Sequence, residues 1–512
     1  LVSASDLVAI LVIILLILGI FFRFANLDYK VYQHDEAFTS MRISGYSKPE
    51  VRQKLFDGRV VTVADVQKYQ HPTAEKNVIN TIQVLTQYAE HPPLYYLLAR
   101  FWAQTFGSSV AVIRSLSALI SVLAFPCAYW LCLELFQSSL AGWVAIALIA
   151  VSPLHVLYAQ EARQYSLWTV VTLFASAALL RALRCNTKLS WGLYGIALVL
   201  GLYSNLLFGL VIIAHGVYVV GSRKGQDGKA EFAYGWTTAL ALLVFTPWLV
   251  AIFINVQRIN RFTGSGNRDI LALVKWWFRN LNNVFFDFYP SLEPFDPLLP
   301  ALPLALMDLL QGGGRSTAVR YLIPSYLGIQ VAIAFLLAAH IKGVADRNDN
   351  VERRDSFPTF NIIPCLSVAA NSKLLSRTLR QQWLWQLVMV GVLSGGILSC
   401  VISLSAEAWW NKFVDYYNPQ TARIINQSPQ PLVVSDTVIP GSVLSLSHLL
   451  DPKVRLQLVN TPEDLELASG FQDVFLFDAS ESLRRKLETE EGYTFEVVFQ
   501  GYKYELWKSV HP

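Results

Sequence analysis

The chain has 512 residues, 54% of them apolar and 15% charged, with 41 basic against 37 acidic residues. A soluble domain carries roughly 25% charged residues, and the net charge of +4 is not gathered into any basic cluster. An ordinary soluble enzyme, a disordered chain and a nucleic-acid binder are therefore excluded, and a polytopic α-helical membrane protein is expected.

Crossing hydrocarbon takes about 20 apolar residues in a helix, and residues 7–25 meet that length first. Because the chain opens on Leu1, the residues flanking this span on its N-terminal side are expected to be missing. Residues 26–107 hold no continuous apolar run, but Val78 to Leu85 and Leu94 to Phe106 are amphipathic and suit interfacial helices in a long outer loop. Further spans are expected at 109–135, 140–158, 165–183, 189–204, 205–221 and 232–256. A second outer loop (257–320) precedes spans at 321–341 and 383–404, which makes at least nine. Within that loop Pro297 to Leu310 is apolar but short, and Asp308 interrupts it.

From Ala406 the composition turns soluble. Apolar runs at Pro431 to Ser435, Val454 to Val459, Asp473 to Phe477 and Tyr493 to Trp507 read as strands, and Glu481 to Glu491 as a helix. The chain thus divides into a transmembrane module (1–404) and a small extracytoplasmic α/β domain (405–512). No glycine-rich nucleotide loop accompanies those strands. The five cysteines (Cys127, Cys132, Cys185, Cys365 and Cys400) lack metal-ligand spacing and read as small core hydrophobes.

Short basic loops fix the orientation. Arg181, Arg184 and Lys188, then Arg223, Lys224 and Lys229, then Arg347 to Arg377 all fall on one side, which should be cytoplasmic. Three polar clusters then share the outer side. His34-Asp35-Glu36 follows the first span; alone, it is a solvated acidic pair. Glu90-His91-Pro92-Pro93-Leu94-Tyr95-Tyr96 is by itself a proline stop before a helix. Tyr158 to Tyr165, with Glu161 and Arg163, breaks an apolar run from Leu140 to Leu183 without Gly, Pro or Asn; it is either a plain turn or a site, since charge at a membrane boundary is costly unless it is used. A carboxylate pair, an arginine and several tyrosines at one boundary suit an enzyme whose substrate has an apolar tail and a phosphate head.

Those same residues carry a resemblance. Gln33-His34-Asp35-Glu36-Ala37, His91 to Tyr96, the segment SPLHVLYAQEARQY from Ser152 to Tyr165, and Arg320-Tyr321-Leu322-Ile323-Pro324 resemble, in order, membrane glycosyltransferases of the GT-C superfamily. The chain looks most like bacterial family 39 proteins, relatives of protein mannosyltransferases and of the lipid A aminoarabinose transferase, and its overall wording looks cyanobacterial. The resemblance covers about residues 7–404 and implies a GT-C fold, a polyprenyl-phosphate-linked sugar as donor, and inverting transfer of that sugar to a lipid, glycan or protein acceptor. The active site would face the periplasmic side of a bacterial inner membrane.

It further implies that Asp35 is the catalytic base, with Glu36 its companion. Arg163 and then Arg320 are the candidates for the donor phosphate; His91, Tyr95, Tyr96, Glu161, Tyr165 and Tyr321 are expected to line the substrate site. No cofactor is expected. A divalent metal is left open, because no Asp-x-Asp motif is present. Trp276, Trp277, Arg279 and Asp287 in the second loop match nothing in the family pattern. Two rivals stand beside this reading: a transporter or lipid flippase using the same charges for gating, which calls for paired broken helices, and an inactive scaffold whose tail binds a partner.

Overall fold

The computed structural model describes residues 4–222, 228–257, 279–288, 319–341, 372–437, 439–501 and 504–510. Trp276, Trp277, Cys365 and the Pro297 to Leu310 segment lie outside them. All nine expected spans fall on helices. By length and hydropathy five of these can cross a membrane unaided: Val110–Phe136, Tyr165–Cys185, Lys229–Ile254, Arg320–Ile341 and Gln382–Leu404. Tyr165–Cys185 is the hub, with 72% of its apolar window buried against 22% for Lys229–Ile254 and 28% for Gln382–Leu404, whose apolar side chains face outward. Of the cysteines, Cys132 and Cys400 are buried as expected and Cys127 is half-buried, but Cys185 is exposed at a helix end.

The expected straight span at 140–158 needs correction. Ser139–Ala150 and Pro153–Ala159 are separate helices bent by 60°. Pro153 lacks the N–H that would continue the first helix, so carbonyls at its end need other donors. The Arg23 guanidinium supplies them, reaching the Ile149 oxygen at 2.9 Å and the Ala150 oxygen at 2.8 Å. Gly19 allows this approach, since a Cβ there would fall 2.7 Å from the Ala150 Cβ. The bend turns the fully buried Pro153–Ala159 helix so that Gln160 to Gln164 emerge at the end of the hub helix opposite Arg181 and Arg184.

The tail forms the expected α/β layer, but not alone. One sheet runs in the order β1-β3-β2-β4-β6-β5, where β1 is Asp57–Thr62, β2 Pro431–Ser435, β3 Arg455–Val459, β4 Asp473–Phe477, β5 Thr494–Gln500 and β6 Glu505–Val510. The run read as one strand from Tyr493 to Trp507 is thus the β5–β6 hairpin. The strand β1 comes from the first outer loop and pairs antiparallel with β3, Val61 opposite Leu456. A boundary at residue 405 is therefore too sharp: a strand of the first module completes the sheet of the second.

Alternation along the strands divides the sheet's two faces. Leu432, Val434, Val474 and Leu476 pack with Leu483 and Leu487 of the Glu481–Thr489 helix. Val433, Leu456, Leu458, Phe475 and Phe477 join the main core. The helix after β2, Pro440–Ser447, rests on the outer-loop helix His34–Ile43: a Cβ at Gly441 would lie 2.7 Å from the Phe38 ring and 3.0 Å from the His34 Cβ. The tail thereby fixes the position of the helix that carries Asp35.

Candidate active site

Asp35 and Glu36 sit in the first turn of the His34–Ile43 helix. Adjacent residues on a helix point about 100° apart, so the two carboxylates have different surroundings. Glu36 is fully buried. Arg114 grips it with Nε at 2.8 Å from Oε1 and Nη2 at 2.7 Å from Oε2. Lys412 Nζ lies 3.0 Å from Oε2, and the Ala162 backbone N–H donates to Oε1 at 2.8 Å. The rest of the Arg114 guanidinium donates to the carbonyls of Leu27, Lys30 and Val31. Burial pushes the Glu36 carboxyl up, but Arg114 and Lys412 outweigh it and hold it down at about 2.

Glu161 belongs to the same enclosed network. Its Oε1 accepts from Gln33 Nε2 and Lys412 Nζ, both at 3.2 Å, and from Asn411 Nδ2. Tyr95 is also enclosed, its hydroxyl 2.7 Å from Ser117 Oγ. Glu36, expected as the companion of Asp35, and Glu161 and Tyr95, expected to line the substrate site, are thus all buried among protein partners.

Asp35 is placed otherwise. Its side chain is 24% exposed, and Oδ2 lies 3.5 Å from Arg320 Nη1. Asp35, Thr39 and Arg42 are spaced four and three residues apart and share one helix face. Arg163 lies along that face: its Nη1 donates to the Asp35 carbonyl at 3.2 Å, Thr39 Oγ1 at 3.3 Å and the Tyr96 hydroxyl at 3.4 Å. The His91 and Tyr96 rings meet at a tilt of 47°, with 5.9 Å between their centres. Tyr165 lies under Arg163 at 5.7 Å, and Tyr321 under Arg320 at 5.4 Å. The four motif segments, far apart along the chain, thus meet at one place. A cavity of about 10 Å³ at the helix bend, lined by Arg23, His155 and Tyr158 among others, does not include Asp35 and is too small for a sugar.

This face gathers buried guanidinium donors. Arg163 Nε, Arg42 Nε and Arg42 Nη1 are buried without a hydrogen-bond partner. Buried donors on a cation are normally satisfied, so these three are free to meet an anion. Burial alone would raise the Asp35 carboxyl, but Arg163, His34 and Arg320 hold it well below the ordinary carboxylate range. Burial, with Arg42 and Arg163 adding to it, pushes the His91 imidazole well down, so that ring is neutral at pH 7.

Sequence reasoning missed several residues. Arg42 carries no signal in a polar loop. Arg114 did carry one, as a charge within the expected 109–135 span, which also holds Glu134 near its end. Trp409 to Asp415 were assigned to the tail, yet Asn411 and Lys412 reach Glu161 and Glu36, and Asp415 accepts from the His34 backbone N–H at 2.7 Å with Nδ1 at 2.5 Å. Trp409 and Trp410 both donate to Asp287 Oδ2 at 2.8 Å, which gives that unplaced loop residue a structural role. Among the described residues no three His, Cys, Asp or Glu side chains gather to hold a metal ion.

A multi-pass helical membrane protein, with a charged site where a loop helix, a span boundary and the tail converge, is the class this architecture defines. Residues 90–250 match the family model described as dolichyl-phosphate-mannose-protein mannosyltransferase. The match covers under a third of the chain and relates that stretch to protein mannosyltransferases. No curated protein matches the sequence. Among solved structures the chain is similar to ArnT from Cupriavidus metallidurans bound to undecaprenyl phosphate, at 14% identity over 99% of both chains and a TM-score of 0.47. It is also similar to the oligosaccharyltransferase AglB from Archaeoglobus fulgidus in complex with an inhibitory peptide and a dolichol-phosphate, at 11% identity over 95% of this chain and 70% of that one, with a TM-score of 0.45. The S. cerevisiae protein O-mannosyltransferase complex Pmt1-Pmt2 bound to its sugar donor aligns at 16% identity over 56% of this chain and 37% of that one, with a TM-score of 0.32.

Proposed function

We propose that the protein is an inverting glycosyltransferase that moves one sugar from a polyprenyl-phosphate donor to a lipid, glycan or protein acceptor. The observation that carries this is the pairing of an accessible, ionised Asp35 with buried guanidinium donors that lack a partner along the same helix face. The matching family's description names a donor of that class.

The chemistry follows from the charges. An acceptor hydroxyl is a weak nucleophile at neutral pH. Asp35 takes its proton while the oxygen attacks the anomeric carbon from the side opposite the phosphate, which inverts that centre. The lipid phosphate leaves without needing a proton, so positive charge is what the site must supply. Arg163 and Arg42 hold its oxygens, the neutral His91 hydrogen-bonds it, and Arg320 sits on the open side. Adding a phosphate beside these cations offsets their pull on Asp35 and raises its carboxyl toward the range a base needs.

The site lies at the N-terminal end of the Tyr165–Cys185 span, and Arg181 and Arg184 lie at its C-terminal end. At about 1.5 Å per residue those ends are a bilayer apart. With the basic end cytoplasmic, the site faces the periplasmic side of a bacterial inner membrane. The transporter reading asks for paired broken helices; the described residues hold one bent pair.

The test uses purified protein in nanodiscs with synthetic undecaprenyl phosphates carrying single hexoses or pentoses. Wild type should transfer at least one sugar with inversion, and Asp35→Asn should lower the rate about 10²–10⁴-fold while donor binding persists. Undiminished transfer by Asp35→Asn would remove that residue from the base role.

A further inference from the structure

The segment Trp410–Asp415, which follows the last span, contains a backbone conformation the mechanism above does not use. Phe413 has φ 47° and ψ −119°, a combination that glycine adopts freely and that crowds the Cβ of any other residue. A strained aromatic residue persists only where its surroundings over-determine it. Those surroundings are explicit here. Before it, Trp409 and Trp410 are tied to Asp287, Asn411 to Glu161, and Lys412 to Glu36 and Glu161. After it, Asp415 is tied to His34. With both flanks fixed inward, the one residue between them that turns outward is Phe413.

Its ring is 41% exposed, against full or nearly full burial for Trp409, Asn411, Lys412 and Asp415. It is not stranded, however. Arg320 Cζ lies 5.6 Å from its centre and 5.4 Å from that of Tyr321, and the same guanidinium reaches Asp35 Oδ2 at 3.5 Å. One side chain therefore separates an exposed, strained aromatic face from the carboxylate.

Resting on the function proposed above, we infer that Phe413 is the platform on which the ring of the transferred sugar stacks. A sugar lying between the phosphate-holding arginines and Asp35 turns one C–H-rich face aside, and a flat aromatic ring beside Arg320 complements that face. The tail would thereby contribute a specificity-determining surface to a site otherwise built from the transmembrane module. The strain has a purpose on this account: it keeps a large apolar ring out of the core and aimed at the substrate.

The test compares bare undecaprenyl phosphate with the sugar-bearing undecaprenyl phosphate that wild type binds most tightly, in nanodiscs. Phe413→Leu keeps apolar bulk but loses the flat face; Phe413→Gly loses both ring and strain. Both variants should bind the sugar-bearing lipid roughly tenfold more weakly and bare undecaprenyl phosphate unchanged, with Phe413→Trp close to wild type. Phe413→Gly should melt no lower than wild type, because glycine relieves the backbone; a ring with only a packing role would give a lower melting temperature and unchanged discrimination. Equal weakening toward both lipids would assign the ring to the isoprenoid tail, and an effect on neither would make it a bilayer contact; either result overturns the inference. Wild type that binds neither lipid overturns it together with the proposed function.

Discussion

The two carboxylates at the start of the His34–Ile43 helix are neighbours in sequence and opposites in circumstance. Glu36 is enclosed by two cations and a backbone N–H, with the Arg114 guanidinium fully used between it and three carbonyls. Asp35 is open to solvent and faces arginines that retain idle donors. A buried polar network whose charges are paired rigidifies a fold. Of two adjacent carboxylates, one is thus fixed in the architecture and the other keeps a partly exposed face.

Substitution can break this contrast. The largest effect expected is on rate: Asp35→Asn loses about 10²–10⁴-fold in transfer with little change in melting, whereas Glu36→Gln should reverse that pattern. Removing one partner of a buried ion pair costs roughly 3–5 kcal/mol, so Glu36→Gln should show a clear drop in melting temperature and yield of folded protein. If Glu36→Gln melts like wild type and loses only rate, the division between the two carboxylates fails.

Arg42 sharpens the contrast at a smaller scale. A hydrogen bond to a charged group contributes about 1.5–3 kcal/mol, so Arg42→Gln should weaken donor-lipid binding roughly 10- to 100-fold. Because Nε and Nη1 make no hydrogen bond and only ring contacts with Phe38 and Tyr88 are lost, stability should fall by no more than about 1–2 kcal/mol; calorimetry with undecaprenyl phosphate reads the first and thermal denaturation the second.

The smallest change expected is in pH dependence. Arg320, with Arg163 and His34, holds the Asp35 carboxyl below its ordinary value. Removing one of these cations raises that carboxyl, so in Arg320→Gln the acidic limb of the rate profile should move to higher pH. A limb that stayed in place, or moved to lower pH, would show that Arg320 does not act on Asp35.

Much of this was legible from residue patterns. Helical periodicity and length located the nine apolar segments, and alternation located three of the sheet's six strands within a residue or two and covered β5 and β6 as one run. The four motif segments meet in one place. What stayed hidden was pairing across distance. Nothing in Asp57 to Thr62 announces that it joins a sheet with Arg455 to Val459, because a short polar edge strand has weak periodicity. Lys412 reads as one more solvated charge until Glu36 and Glu161 are found on either side of it. Arg42 has significance only because its donors lack partners, a property of packing that no spacing encodes.

The β1–β3 pairing has a temporal side. A ribosome releases Val61 long before it has made Leu456, so the outer loop must wait, partly unpaired, for most of translation. The Asp35 helix receives the support of Pro440–Ser447, Lys412 and Asp415 only near the end of synthesis. A nascent or truncated chain therefore lacks both the completed sheet and the contacts that hold the Asp35 helix.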